Sequence, residues 1–73
     1  SKKRTFKEQK EFEQLEEDIF TMEDRKSELE TLLSSADTDF SKIEQINKEY
    51  KEVCEQLEAK YPCWEELAEL LPY

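Results

Sequence analysis

FEQLEEDIFTMEDRKSELETLL, residues 12–33, places apolar side chains at Phe12, Leu15, Ile19, Met22, Leu29 and Leu33, with Lys26 filling the one gap in the series. The steps alternate 3, 4, 3, 4, 3, 4. That spacing keeps one stripe of a helix facing a partner helix, and the Glu, Lys and Gln between the stripe positions suit a solvated outer face. The stretch IEQINKEYKEVCEQLEAKYPCWEELAELL, residues 43–71, repeats the pattern through Ile43, Ile46, Tyr50, Val53, Leu57, Lys60, Trp64, Leu67 and Leu71. Two such series in one short chain predict an all-α fold, a two-helix antiparallel coiled-coil hairpin.

Between them lies Ser34-Ser35-Ala36-Asp37-Thr38-Asp39, small polar residues whose side chains bond their own backbone and compete with helix. A connection this short makes the flanking helices antiparallel neighbours. Folding at residues 37–38 makes facing positions sum to about 75 or 76, which pairs Leu29 with Ile46, Met22 with Val53, Ile19 with Leu57 and Phe12 with Trp64. Lys26 then faces Tyr50, with its stem on the ring and its ammonium in water, and Lys60 faces Leu15.

Thr5-Phe6-Lys7-Glu8 reads as a capping box opening the first helix. Ser41-Lys42-Ile43-Glu44 has the same form, with Asp39 as a competing cap for the second. The expected organisation is one domain: a basic linker end over 1–5, a first helix over 6–34, a loop over 35–40, and a second helix over 41–73. Pro62 removes a backbone donor inside the second series and crowds the carbonyl four residues back. A kink or break is therefore expected over 60–63, either as plain punctuation or as a hinge aiming the last segment.

The 73 residues include 42% charged and 36% hydrophobic side chains, no glycine and no histidine. Without glycine there are no phosphate-cradling loops; without histidine, serine-hydrolase and zinc-site patterns fail. Asp37-Thr38-Asp39 lacks the glycine and the distal glutamate of a calcium loop. Cys54 and Cys63 lie nine residues apart, about 13.5 Å along a continuous helix and on opposite sides of it, so two free thiols are expected. There is no apolar run long enough for a membrane span and no signal peptide, and the expected compartment is the cytoplasm. The core of a lone hairpin is small, so a weak homodimer packing as four helices is also open.

The net charge of −9 is unevenly spread. Residues 1–10 hold Lys2, Lys3, Arg4, Lys7 and Lys10 against Glu8 alone, a balance of +4, while residues 11–73 hold six basic and nineteen acidic side chains, a balance of −13. An acidic rod repels phosphate, so the basic end is the surface suited to nucleic acid. The bland reading is a solvated linker.

Lys2-Lys3-Arg4-Thr5-Phe6-Lys7-Glu8-Gln9-Lys10-Glu11 resembles the opening of the C-terminal domain of Uup-type ABC-F proteins, and Leu15, Glu16 and Ile19 continue in that family's coiled-coil manner. Trp64-Glu65-Glu66-Leu67 resembles its Arg-Trp-Glu-Glu-Leu ending, with Cys63 where arginine is usual. The resemblance implies a non-catalytic accessory domain of a protein with two ATP-binding cassettes, so that ATP and Mg belong to the parent and no cofactor to this domain. It implies binding of DNA, or of ribosomal RNA, through Lys2, Lys3, Arg4, Lys7 and Lys10. Two departures stand against a simple transfer: Pro62, and the strong acidity beyond residue 10. The alternative is a protein-docking or dimerisation module that meets the cassettes, a ribosomal protein or a second copy without touching nucleic acid.

Overall fold

The computed structural model describes residues 2–35 and 39–73. Helix α1 spans Phe6–Leu33 and helix α2 spans Phe40–Ala68. They pack side by side into a rod with extents of 52 × 16 × 15 Å. The expectations for Ala36, Asp37 and Thr38, including the fold point, lie outside the described residues.

Each helix starts where a side chain can satisfy its unpaired amides. The Glu8 amide donates to Thr5 Oγ1 at 3.1 Å and the Thr5 amide donates to Glu8 Oε1 at 2.9 Å, which completes the capping box. At α2 the cap is Asp39, whose Oδ1 accepts from the Lys42 amide at 3.1 Å. Ser41 lies inside the first turn instead. A carboxylate next to the positive end of the helix dipole is the stronger of the two competing caps. At the far end of α1 the Ser34 amide and hydroxyl both donate to the Glu30 carbonyl, at 3.1 and 3.0 Å.

The core runs along the two heptad stripes. Ile19, Leu29, Val53 and Leu57 are buried, Leu29 completely, and Met22, Ile46, Tyr50, Tyr61 and Trp64 pack against them. Phe12 and Trp64 stack as their register predicts, with ring centroids 6.0 Å apart and planes 16° from parallel. Tyr50, expected opposite Lys26, feels that lysine's charge but directs its hydroxyl to Glu30 Oε1 at 3.5 Å. Lys60, expected opposite Leu15, reaches Asp18 at 3.7 Å, one turn along the same helix.

Two expectations need correction. The break over 60–63 does not occur: α2 is continuous with Pro62 inside it. The carbonyl that Pro62 leaves without a donor belongs to Glu58, an exposed residue, so the lost amide costs less there than in a buried turn. On either side the helix is held to α1. The Tyr61 hydroxyl donates to Glu23 Oε2 at 2.7 Å, and Trp64 lies on Phe12. The Cys63 thiol also lies 3.8 Å from the Ala59 carbonyl, inside the same turn.

The second correction concerns residues 69–73, which leave the helix. Glu69 caps α2, and Leu71, expected on the seam, forms a parallel β-bridge with Lys3. The Arg4 amide donates to the Leu71 carbonyl and the Leu71 amide to the Lys2 carbonyl, both at 2.9 Å. The local cause is Pro72: a residue preceding proline is driven out of the α region into extended backbone, the conformation a bridge requires.

Candidate nucleic-acid interface

The basic end of the rod is built around this bridge. Residues 2–4 and 71–73 run alongside each other, and Tyr73 continues along the first turns of α1. Its ring meets Phe6 edge-on at 5.7 Å, and its amide donates to Gln9 Oε1 at 3.4 Å. Lys2 and Lys3 therefore stand on backbone that is hydrogen-bonded in place, and Lys7 and Lys10 on the first two turns of α1.

Lys2, Lys3, Lys7 and Lys10 are all exposed. Lys10 lies 3.9 Å from Glu13 and 5.5 Å from the Phe6 ring centre, with both partners of the ion pair well solvated. A pair of that kind is weak and leaves the ammonium available. Among the described residues Lys2, Lys3 and Lys7 make no ion pair. The Thr5 amide, and more weakly the Thr5 side chain and the Lys2 charge, favour the ionised Glu8 and hold its carboxyl below the usual range.

Arg4 behaves differently from the other four. It is only 7% exposed, and its guanidinium points into the hairpin. Nε donates to the Leu67 carbonyl at 2.8 Å, near the end of α2, and Nη1 donates to Gln9 Oε1 at 3.2 Å. The guanidinium carbon lies 3.9 Å over the Phe12 ring, whose stack with Trp64 extends the layer. Arginine is suited to this place because its planar group donates in fixed directions and stacks on an aromatic face at the same time. Burial and the two bonds made by Nε and Nη1 inside the protein set it apart from the lysine group.

Arg4 occupies the position before the N-cap and Gln9 the fourth helical position, where a hydrophobic staple often fixes the chain's entry angle. Here the staple is polar. Gln9 also donates through Nε2 to Glu13 at 3.0 Å, so one amide side chain ties the strap of residues 2–4, the tail of residues 69–73 and α1 together. Gln9, Leu71 and Tyr73 carry no charge signal, and reading the basic run alone misses them. The available signals were the staple spacing of Arg4 and Gln9 and the Leu-Pro pair at 71–72.

Away from this end the surface is acidic. Arg25 holds both oxygens of Glu49, at 2.6 and 2.9 Å, and reaches Glu28 at 3.1 Å. The bonds from Arg25 hold the Glu49 carboxyl below its usual range. Glu8 and Glu49 are thus displaced downward by bonds they accept, the reverse of what a general acid needs. Among the described residues no three His, Cys, Asp or Glu side chains are grouped to hold a metal ion, and no helix is long and apolar enough to cross a membrane.

Comparison with known proteins places this arrangement. Residues 3–69 match the family described as the ABC transporter C-terminal domain. The chain is also 34% identical over 67 residues to a Bacillus subtilis (strain 168) protein named "Uncharacterized ABC transporter ATP-binding protein YfmR". That alignment covers 92% of this chain but 11% of the relative, so the chain spans a small part of that protein's length. No solved structure matches. The matched segment holds both helices and the Arg4–Leu67 bond, and the chain belongs to the ABC transporter C-terminal domain family.

Proposed function

We propose that this chain is the C-terminal accessory domain of an ABC-F-type ATPase and that it contacts nucleic acid, DNA or ribosomal RNA, through Lys2, Lys3, Lys7 and Lys10. ATP and Mg act in cassettes outside the chain, in the cytoplasm, and the hairpin contributes binding rather than chemistry. One observation carries the reading: four exposed lysines sit at the one basic end of an otherwise acidic rod, two of them on backbone fixed by the bridge to Leu71. Ordered backbone lowers the entropy lost when a phosphate chain is gripped. Arg4 supports the site by holding the strap closed.

The test is a titration against duplex DNA, single-stranded DNA and a structured ribosomal RNA fragment at two salt concentrations. Four phosphate contacts predict a log–log salt slope of about −3.6 on duplex DNA. Replacing the four lysines with alanine is expected to abolish binding and its salt dependence. Unchanged affinity in that variant removes the assignment.

The docking or dimerisation reading is favoured by Phe20 and Phe40, each 74% exposed on a helix surface. It predicts a mass that rises with concentration in sedimentation and no retention on naked nucleic acid. A strictly monomeric chain that binds DNA excludes self-association as its role.

A further inference from the structure

On one side of the basal half, α1 and α2 part to leave a groove of about 550 Å³. Its apolar lining is Leu15 and Leu67, which the hairpin leaves half-covered, together with the exposed thiol of Cys63. Carboxylates of Glu8, Glu11, Asp18 and Glu66 and the amide of Gln14 complete the lining, Glu8 being held by the Thr5 amide in the capping box. No lysine or arginine lines it. Asp18 is engaged by Gln14 at 3.0 Å and by Lys60 at 3.7 Å, whereas Glu11 and Glu66 make no ion pair or side-chain hydrogen bond among the described residues.

We infer that this groove is a docking site for a basic amphipathic helix of a partner protein, which seats an apolar side chain between Leu15 and Leu67 and sets Lys or Arg against Glu11 and Glu66. Charge complementarity selects the occupant. Nucleic acid is repelled by the rim, and an acidic or uncharged helix leaves two carboxylates unanswered beside the contact. The apolar lining supplies what charge alone does not: a patch that gains by being taken out of water. A helix laid into a groove presents side chains at three- and four-residue spacing, which matches an apolar centre flanked by cations one turn away on either side. The site is independent of the lysine surface and does not rest on nucleic-acid binding.

The probe is a synthetic helix of Leu and Lys at heptad spacing, titrated against the whole chain with amide shifts and Cys63 alkylation as readouts. The half-buried Cys54 serves as internal reference. Binding is expected to shift the amides of Leu15, Cys63 and Leu67 and to protect the Cys63 thiol. Cys63→Arg places a cation of the chain's own in the groove and is expected to weaken the probe about tenfold. Glu11→Gln with Glu66→Gln is expected to weaken it about threefold. The substituted positions Glu11, Cys63 and Glu66 are all exposed, and circular dichroism verifies that each variant folds; the glutamine pair decides the matter if Cys63→Arg does not. Undiminished affinity in the folded variants overturns the proposal. So does failure of the probe to bind, equal binding by an acidic helix, or oligolysine binding equally with no shift at Leu15 or Leu67.

Discussion

At the tip of the hairpin the chain itself joins the helices, and among the described residues a single fully buried side chain, Leu29, anchors the packing. At the base the two termini emerge and no covalent link holds the helices together. Closure there depends on a short backbone bridge, a polar staple from Arg4 to Gln9, and the Arg4–Phe12–Trp64 stack. The tip is held by burial and connectivity, the base by directed bonds. Short segments beyond helix ends fray unless tied down, and here residues 2–4 and 71 are tied to each other. The base is also where the exposed lysines and the acidic-rimmed groove lie, so the directed bonds hold in place the surfaces proposed to meet partners.

Leu29→Ala is the severest test of the tip, because it empties a site with no solvent access. The expected loss is about 3 kcal/mol, read as a lower urea midpoint for the whole chain. Arg4→Ala is the matching test of the base. It removes two hydrogen bonds from a buried cation and its aromatic contact, and should cost about 2 kcal/mol. Amide exchange distinguishes the two. Arg4→Ala should speed exchange at Arg4 and Leu71 well before it does so at Leu29, and uniform acceleration would mean that the ends do not open separately. Arg4→Lys should not rescue the base, since an ammonium lacks the flat fork that reaches Leu67 and Gln9 while covering Phe12.

Pro62→Ala probes the stretch of α2 nearest the base. Restoring an amide for the Glu58 carbonyl should raise stability by about 1 kcal/mol, less than the ~3 kcal/mol of an interior proline because Glu58 is an exposed residue. A loss instead would show that the proline sets the direction of the basal segment.

The smallest effect is expected from pH. The Glu8 and Glu49 carboxyls are both held below their usual range, at the base and at mid-rod respectively. Their contributions are complete above the unfolded carboxyl value of about 4.3 and are lost as pH falls through the lower folded values. Glu8→Gln should flatten the acid limb of exchange at the base, and Glu49→Gln the limb at mid-rod. Both contributions are modest because the groups are solvated.

The heptad stripes determined the architecture directly from sequence. Their spacing put Phe12 opposite Trp64 and brought Ile19, Leu29, Val53 and Leu57 into one core, because helix periodicity fixes which side chains share a face. The Thr5 and Glu8 box was legible for the same local reason. The lysines were legible as a charge cluster, and their exposure follows from the cost of burying an unpaired ammonium.

Tertiary structure alone decided what happens where the termini meet. Charge grouped Arg4 with four lysines; only the approach of Leu67 and Phe12 from opposite ends of the chain turned it inward. Leu71 continues the heptad spacing, yet Pro72 and the backbone of residues 2–4 drew it into a bridge. Pro62 predicted a kink or a break; α2 is unbroken there, with Tyr61 bonded to Glu23 and Trp64 stacked on Phe12 on either side of it. Local sequence sets preferences of a few kcal/mol, and partners more than 20 residues away were enough to override them at these three positions.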